Sequence, residues 1–452
     1  MDRVTDRASA PPHTASHQSA PASLGADSPL LAPLLSAEGQ ALLAELRDHD
    51  PAGELAVATR LRREHPAELV SAALTQARLR QRAVAKFGAE DAYRMYFTPN
   101  GIEQATRSTV AAHRAARFRA LAPERRITDL CCGIGGDAIE LARAGFAVTA
   151  VDLDPLTCEI AAANLRMLAP GAQSAQATSA TRGTSAAPPG PPGPPAPPAT
   201  VTRADVLEYD LAGARTVFID PARRGGRGRI FDPEAYSPPL SWAVEAVRRA
   251  GTGAVKIAPG IPHELIPDDF EAEWISDSGD VKEAVLWYDG RSGTSGSVTP
   301  GARRATLLAP GRPTVTLTGR GLPDPPVRAT GRFLYEPDGA VIRAHLVAEV
   351  AEELEGGLLD ETIAYITADE PRPTPYATAY EITDELPFGL KKLKALLRER
   401  EVGILTVKKR GSAVEPEELR RRLKLKGPHS VTVFLTRVAG APTMLLGHPV
   451  EA

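Results

Sequence analysis

Hydrophobic positions in this chain change their spacing twice, and the changes divide it into three parts. Between about residues 30 and 121, apolar residues such as Leu42, Leu43 and Leu46 recur at the period of an amphipathic helix. From Ile127, short apolar runs alternate with helical spacing, which predicts parallel strands connected by helices. The last third again mixes short strands with helices.

In the middle part the pattern predicts a doubly wound sheet. Strands are expected near residues 127–131, 147–152, 201–204, 216–220 and 253–258, and helices are expected to begin near Gly136, Pro155, Pro238 and His263. Residues 272–288 then form two strands joined by a turn at 277–280, and so short a connection requires an antiparallel pair. The predicted fold class is α/β, a Rossmann-like sheet with an antiparallel closing hairpin.

The C-terminal third predicts a small α+β domain of ferredoxin-like type. Its strands are expected at 363–368, 377–382, 402–408, 430–438 and 443–446, and its helices at 390–400 and 415–425. The segments that connect the three parts of the chain are recognised by their composition rather than by the spacing of apolar residues.

Two low-complexity segments refine the boundaries. Residues 1–29 are rich in Ala, Ser, Pro and His, which predicts a disordered tail. Residues 169–200 are rich in Pro and Gly, which predicts an unstructured insertion in a surface loop of the core. We therefore predict a helical region over 30–121, an α/β core over 122–289 that contains the insertion, a linker over 290–310 and the α+β domain over 311–452.

Composition excludes several classes of protein. The three cysteines, Cys131, Cys132 and Cys158, fall within one strand–helix unit, so neither a disulfide framework nor a metal site is predicted. The formal net charge is only −3, so local imbalance decides which partners are attracted. The N-terminus lacks the features of a signal peptide, and no stretch approaches the ~18 apolar residues of a membrane span. We expect a soluble, cytoplasmic protein that binds no membrane.

A glycine-rich turn follows the first predicted strand. Gly133, Gly135 and Gly136 lie where this strand turns into its helix, and glycine lets a backbone approach a ligand closely. At the end of the second strand, Asp152 is placed to accept hydrogen bonds from both hydroxyls of a ribose. Asp205, after the third strand, is expected near an adenine amino group. The pattern predicts a pocket for a nucleoside cofactor.

Two cofactor classes fit this turn. The glycines follow the G-x-G-x-x-G/A spacing of dinucleotide sites, with Ala138 in the last position and Asp152 at about the expected ~20 residues downstream. Three features favour a methyl donor instead: the strand residue Asp129, which could accept a hydrogen bond from a methionine amino group, Asp205 and the closing hairpin. A Rossmann-like sheet with an empty pocket is the third alternative.

Residues 129–165 resemble motifs I and II of class I S-adenosylmethionine-dependent methyltransferases. They are most similar to the trimethylguanosine-synthase-like RNA-modifying group, which has related Cys-Gly-x-Gly-Gly and Asp-x-Asp-Pro runs. Residues 97–99 and the next helix resemble a Thr-Pro segment that closes over the cofactor in that group. Over about residues 30–450, the order of parts is similar to the bacterial THUMP-like-domain methyltransferases.

The resemblance implies that the cofactor is S-adenosyl-L-methionine. The residues expected to bind it are Asp129, Cys131, Gly133, Gly135, Gly136, Asp152, Leu153, Asp205, Val206 and Asp220.

The fourth strand ends in the candidate acceptor site, because ligand-facing residues collect at the carboxyl ends of such strands. Enzymes that methylate exocyclic amines carry a similar Asn/Asp-Pro-Pro-Tyr/Phe run, which Asp220 and Pro221 match and Ala222 and Arg223 do not. We expect Asp220, Pro221 and Arg223 to be catalytic, with Asp220 orienting or deprotonating an amine. Arg223 and Arg224 are expected to grip phosphate. The alternative is a salt-bridged loop in which Asp220 only caps a turn.

Glu283 and His263 are also expected near this edge of the sheet, but neither is assigned to substrate binding. Glu283 in the hairpin is expected to pair with Lys282 or a neighbour rather than with substrate, and His263 is expected to be structural. The cysteines are expected to pack, which argues against covalent methylation at pyrimidine C5.

A basic segment in the last domain suggests a partner. Residues 391–426 contain 13 Lys and Arg against 5 Asp and Glu. Lys408, Lys409 and Arg410 end a strand and Arg421 lies on the next helix, so together they predict a phosphate-binding surface. Aromatic residues are scarce there, which favours a structured RNA over stacking on single strands. Two ordinary solvated helix faces are the alternative.

The predicted function is therefore methylation of a base nitrogen in a structured RNA. A protein or small-molecule methyltransferase and a non-catalytic cofactor-binding module remain the alternatives.

Overall fold

The computed structural model describes residues 31–169, 198–225, 228–229, 232–291 and 298–450. The predicted tail at 1–29 and nearly all of the predicted insertion at 169–200 lie outside these residues.

The N-terminal region is helical, as predicted. Its helices are α1 (Ala32–Leu35), α2 (Ala37–Glu45), α3 (Glu54–Leu61), α4 (Ala67–Ala92), α5 (Pro99–Gln104) and α6 (Ser108–Leu121). Capping residues explain where two of them begin: the Ser36 hydroxyl accepts from Gly39 N, 3.0 Å away, and the Thr98 hydroxyl accepts from Gly101 N, 2.8 Å away. Helix α4 kinks at Gly88, whose φ of 73° is not helical.

The core alternates strands with helices. Its elements are β1 (Arg126–Leu130), α7 (Gly136–Arg143), β2 (Ala147–Asp152), α8 (Pro155–Leu168), β3 (Ala199–Arg203), β4 (Val217–Ile219), β5 (Arg224–Gly225), β6 (Gly228–Arg229), α9 (Leu240–Ala250), β7 (Thr252–Ile257), β8 (Glu271–Asp277), β9 (Asp280–Asp289), β10 (Arg303–Leu308) and β11 (Val315–Thr318). Short 3-10 turns occur at Pro51–Gly53, Pro233–Ala235 and His263–Leu265.

Nine of these strands form a sheet in the order β11-β10-β8-β9-β7-β4-β1-β2-β3, whereas β5 and β6 pair only with each other. Strands β3, β2, β1, β4 and β7 are parallel neighbours, whereas β9 is antiparallel to both β7 and β8. The predicted Rossmann-like sheet and its antiparallel closing hairpin are therefore confirmed. The chain runs from β1 outward to β3 and resumes on the other side of β1 at β4, which opens a crevice at their carboxyl ends.

Two expectations for the core need correction. The helix expected to begin at His263 is only the turn His263–Leu265, because Pro267 favours the extended conformation observed at Ile266. The range predicted as a linker, 290–310, contains strand β10, which pairs in parallel with β8. Strand β11 also belongs to this sheet rather than to the C-terminal sheet. The sequence of β10 begins with Arg303 and Arg304, which hides its strand character.

The C-terminal part is an α+β domain, as predicted. Its elements are β12 (Phe333–Pro337), α10 (Gly339–Arg343), α11 (Val347–Glu353), β13 (Gly357–Asp360), β14 (Ile363–Ala368), β15 (Ala377–Pro387), α12 (Leu390–Glu399), β16 (Val402–Lys409), α13 (Pro416–Leu423), β17 (His429–Val438) and β18 (Ala441–Pro449). The sheet order is β13-β14-β12-β15-β18-β17-β16, and β16 and β17 form its parallel pair.

Hydrophobic clusters bury both faces of the larger sheet. Phe87 and Phe118 of the helical region pack with residues of α7 and α8 in one cluster. Val244 of α9 packs with Val341 and Val350 of the C-terminal domain in the other. The helical region and the C-terminal domain are therefore both packed against the core that carries the candidate site.

Candidate active site

The glycine turn between β1 and α7 lies at the carboxyl ends of the central strands. Gly133 and Gly135 have φ angles of 55° and 84°, a region that favours glycine. A cavity of about 460 Å³ opens onto this turn. It is lined by Thr98, Asn100, Gly101, Glu103, Gln104, Ala105, Thr106, Cys131, Cys132, Gly133, Ile134, Gly136, Asp137, Asp152, Asp154, Thr157, Asp220, Pro221, Ala222 and Arg223.

Asp152 holds the shape of this turn. Its carboxylate accepts hydrogen bonds from Gly133 N, 2.9 Å away, and from Asp154 N, 3.1 Å away. Asp154 in turn caps α8 by accepting from Thr157 N at 2.7 Å. Each carboxylate oxygen of Asp152 keeps capacity for a further hydrogen bond, so hydroxyl donors of a ligand can still be bound.

Asp129 is fully buried at the end of β1, and neither of its carboxylate oxygens has a hydrogen-bond partner among the described residues. Burial, and then the negative charge of Asp220, raise the pKa of Asp129 to about 8, although Arg114 and Lys256 act in the opposite direction. A buried carboxyl without a partner is rare in folded proteins. Its chemistry fits a ligand that brings an ammonium group, as the methionine part of the predicted cofactor does.

A second cavity of about 460 Å³ adjoins the first and shares Cys131, Asp152, Asp154 and Ala222 with it. Its other lining residues include Leu153, Asp205 and Val206, all of which were predicted from the sequence. The side chain of Leu153 is 61 % exposed, so it offers an uncovered apolar surface of the kind that ligand pockets present to a ring.

The thiol of Cys131 faces both cavities, and its backbone has an unusual φ of 62°. Burial and the neighbouring carboxylates, first that of Asp152, raise the pKa of this thiol well above its ordinary value. The thiol is therefore protonated near neutral pH and is a poor nucleophile.

At the acceptor side, a buried lysine joins the predicted catalytic aspartate. Asp220 follows β4, and its Oδ2 atom accepts from Lys256 Nζ, 2.7 Å away. Lys256 also donates to Thr106 Oγ1 at 2.8 Å and lies 3.9 Å from Glu283 Oε2. Pro221 and Arg223 line the same cavity, and the buried Nη1 atom of Arg223 has no partner in the described part of the chain.

Sequence reasoning missed Lys256 as a site residue, although a signal was present. Lys256 is the charged residue in β7, a strand in which every residue is buried. A charge in such a strand needs a partner, and here the partner is Asp220.

Helix α5 and the residues around it form one wall of the cavity. Gln76 and Asn164 clamp the segment that precedes α5, because each side-chain amide bonds both the N–H and the carbonyl of one residue: Gln76 does so with Phe97, and Asn164 with Tyr96. At Gly101 a Cβ atom would come 2.5 Å from Ile134 Cγ2, so only glycine allows this close approach.

Comparison with known proteins gives the family. Residues 377–449 match a family described as THUMP domain-like, and residues 27–83 match a domain of unknown function. Two Mycobacterium tuberculosis proteins, from strains CDC 1551 / Oshkosh and ATCC 25618 / H37Rv, are described as uncharacterised S-adenosylmethionine-dependent methyltransferases. Each is 32 % identical to this chain over 368 residues, which are 80 % of this chain and 90 % of the relative. The chain belongs to the S-adenosylmethionine-dependent methyltransferases.

The fold comparison agrees with this assignment. The crystal structure of a protein described as a methyltransferase, from Porphyromonas gingivalis W83, superposes with a TM-score of 0.70 at 19 % identity. The match covers 91 % of this chain and 98 % of the other, so the shared fold includes the helical front and the C-terminal domain. The cofactor of this methyltransferase is S-adenosylmethionine, and the family expected from the sequence is confirmed.

In this methyltransferase a buried cluster of charges lies close to the candidate active site. Arg114 of α6, only 1 % exposed, contacts the carboxylates of Asp137 and Glu283 and lies over the ring of Phe218. Glu283 does not pair with Lys282, which pairs with Asp280 at 3.1 Å, but it does lie 3.9 Å from Nζ of Lys256 on the neighbouring strand β7. Glu283 points inward instead, toward a helix that is distant in sequence.

The predicted phosphate-binding cations are not gathered on one free surface of the methyltransferase. Lys408 and Arg410 both pair with Glu336, whereas Lys409 pairs with Glu415 at 2.5 Å. Arg421 is exposed and has no ion-pair partner among the described residues. Arg224 lies in the short strand β5.

The described residues include no group of three or more His, Cys, Asp or Glu that could hold a metal ion. No described helix is long and apolar enough to cross a membrane.

Proposed function

We propose that this methyltransferase methylates a nitrogen of a base in a structured RNA. The observation that carries the proposal is the position of Asp220 in the cavity wall. Its Oδ2 atom is held by Lys256, and its Oδ1 atom has no partner among the described residues. An ionised carboxylate only accepts hydrogen bonds, so this oxygen suits a substrate N–H, as an exocyclic amine provides.

The residues around the turn are suited to hold the cofactor. Asp129 would accept from its amino group and Asp152 from its ribose hydroxyls, while Leu153 and Asp205 would contact the adenine. When bound, S-adenosylmethionine supplies a methyl group activated by a sulfonium.

Asp220 has two tasks in this proposal. By accepting a hydrogen bond, it orients the acceptor nitrogen, and alignment of the reacting groups is a large part of catalysis. Its free Oδ1 atom can then take the proton that the methylated nitrogen must lose. Lys256 keeps this carboxylate in one orientation. Arg223 lines the same cavity, where its guanidinium is the candidate group for binding a phosphate.

The positive charge available for RNA lies mainly on helices of the C-terminal domain. Lys391, Lys392 and Arg398 of α12 are exposed and, within the described chain, have no carboxylate partner. Arg421 and Lys424 are exposed in the same way. The paired cations Lys408, Lys409 and Arg410 would first have to release their carboxylates. Free charges are the ones that bind phosphates at little cost, so α12 is the better docking candidate.

The chemical part is tested by transfer of labelled methyl groups to total cellular RNA, followed by nucleoside digestion. We expect label on a base nitrogen and a loss of about 100-fold or more in Asp220→Ala. Asp324→Ala, which changes an exposed aspartate, is the matched control and should transfer normally. Label in protein or metabolites, with none in RNA, would show a different acceptor. No transfer to any fraction would support a non-catalytic module.

Docking is tested with two triple variants. Changing Lys391, Lys392 and Arg398 to glutamine should weaken RNA binding and lower the slope of log affinity against log salt by up to about 2–3. The same change at Lys408, Lys409 and Arg410 should have the smaller effect. Equal affinities and slopes for both variants and the parent protein would contradict docking by this domain.

A further inference from the structure

A groove separate from the two cavities of the candidate site lies at the same edge of the sheet. It has a volume of about 840 Å³ and is bounded by residues 259–263 after β7, residues 279–282 at the β8–β9 turn, and residues 339–345 with Arg410 from the C-terminal part. Strand β8 is parallel to β4 and separated from it by β7 and β9, so the two sites are roughly 15 Å apart at about 4.8 Å per strand. One extended substrate can therefore occupy both.

Two stacked imidazoles line this groove, and a buried indole supports them from behind. The imidazoles of His345 and His263 are 3.8 Å apart and nearly parallel, and His263 also stacks on Trp274 at 4.9 Å. Trp274 is fully buried and donates to the carbonyl of Pro259 at 3.0 Å, whereas His345 is exposed. The stack is thus anchored in the core at one end and open to the groove at the other.

The stack does not carry two charges face to face. His263 Nε2 bonds the carbonyl of Arg343 at 2.8 Å. Burial lowers the pKa of His263, and the neighbouring His345 acts in the same direction. A neutral His263 can remain in contact with His345 without repulsion, so the platform persists at neutral pH.

Cations lie beside the rings. Arg343 donates to the carbonyl of Pro259 at 3.2 Å but has no carboxylate partner among the described residues. Arg410 also lines the groove, but it pairs with Glu336, which it shares with Lys408. The charge of Lys282 is neutralised by Asp280, 3.1 Å away. The groove therefore combines a flat ring surface with Arg343, a cation that no carboxylate of the described residues neutralises.

We infer that this groove binds an unpaired nucleotide of the RNA close to the methylated one, with its base stacked on His345 and its phosphate bound by Arg343. The inference rests on the proposed RNA substrate. Stacking on an aromatic ring tolerates any base, because every base has a π-face. The groove therefore provides a grip that is independent of sequence, while the acceptor cavity selects the methylated atom.

The test uses a fluorescein-labelled, mixed-sequence RNA of about 12 nucleotides, and its affinity is measured by anisotropy. His345→Ala should weaken binding by roughly five- to 150-fold, the loss that removal of one stacked base produces. His345→Phe should retain most of the affinity, because it keeps an aromatic ring. Arg343→Gln should weaken binding and lower the salt slope by about 1. His429→Ala, at an exposed histidine elsewhere, is the matched control.

The outcomes separate this inference from the proposed function. If RNA is methylated and the parent protein binds the probe, but His345→Ala and Arg343→Gln bind equally well, the groove assignment is wrong and the function stands. An equal loss in His345→Phe and His345→Ala, or no binding of the probe by the parent protein, also overturns it. If no label is found in RNA, the proposed RNA substrate itself is wrong. Unchanged S-adenosylhomocysteine affinity and melting temperature show that each variant is folded.

Discussion

The ammonium nitrogen of Lys256 lies 2.7 Å from Oδ2 of Asp220, which lines the cavity of the candidate active site. The same nitrogen bonds Thr106 Oγ1, so one buried cation connects strand β7, the residue after β4 and the segment between α5 and α6. Because Lys256 is only 3 % exposed, its charge is little screened by water. The orientation of Asp220 thus depends on contacts from three parts of the chain.

Replacing Lys256 should impair methyl transfer more than cofactor binding. Lys256→Met keeps the length of the side chain but leaves Asp220 without its partner, and we expect a rate loss of about 100-fold or more. Initial rates with labelled S-adenosylmethionine and calorimetric binding of S-adenosylhomocysteine measure the two effects. Thr106→Val removes the other hydrogen bond of Nζ and should cost less than about tenfold. A larger loss in Thr106→Val would show that the orientation of Asp220 is not the decisive contact.

The protein should become less stable as the pH rises, because of Asp129. The pKa of Asp129 is raised to about 8 in the folded protein by burial and then by Asp220, against an ordinary value of 3.8. The folded state holds the proton more tightly, so this contribution to stability is complete below about pH 4 and is lost as the pH rises through about 8. Asp129→Asn is neutral at every pH and lacks this loss. In urea unfolding from pH 5 to 8, the free energy of unfolding of Asp129→Asn should rise relative to that of the parent protein as the pH increases. A constant difference between the two proteins over this range would refute this account.

Arg114 should be essential for folding stability. Arg114→Met leaves the buried carboxylate of Asp137 without its cation and Glu283 with only the more distant Lys256, which should cost about 3–5 kcal/mol. Arg119→Met changes an exposed arginine in the same helix and should alter the free energy of unfolding by less than about 0.5 kcal/mol. Urea unfolding of both variants provides the comparison. Similar midpoints would mean that the buried cluster contributes little.

Asn164 should link the wall of the cavity to cofactor affinity. Asn164→Ala removes hydrogen bonds to the N–H and carbonyl of Tyr96 and to the carbonyl of Ile134, all of which are buried. We expect a loss of stability of about 1–3 kcal/mol and weaker S-adenosylhomocysteine binding, because the segment leading to α5 is released. Calorimetry at a temperature where the variant is folded separates the two effects. Unchanged affinity would show that α5 is held in place by other contacts.

The features predicted well are those written into a few consecutive residues. The turn at Gly133 and Gly135 and the cap at Asp154 depend on local backbone geometry, and both lie where expected. The strands of the core followed from short apolar runs, and the hairpin from the turn between β8 and β9. Strand β10 was missed because the charged Arg304 interrupts its apolar pattern. In the fold this charge is neutralised by Glu271 of β8, which is distant in sequence.

The sequence by itself determined the alternation of parallel strands and helices in the core, the glycine turn and the aspartates at the strand ends. Each of these is specified by side chains within a few positions of one another, where periodicity, glycine and capping act. Only the tertiary structure decided that Lys256 holds Asp220, that Glu283 pairs with Arg114 and that Glu336 neutralises Lys408. Charges choose their partners by distance and burial, and a residue's position along the chain does not state which distant residue the fold will place beside it.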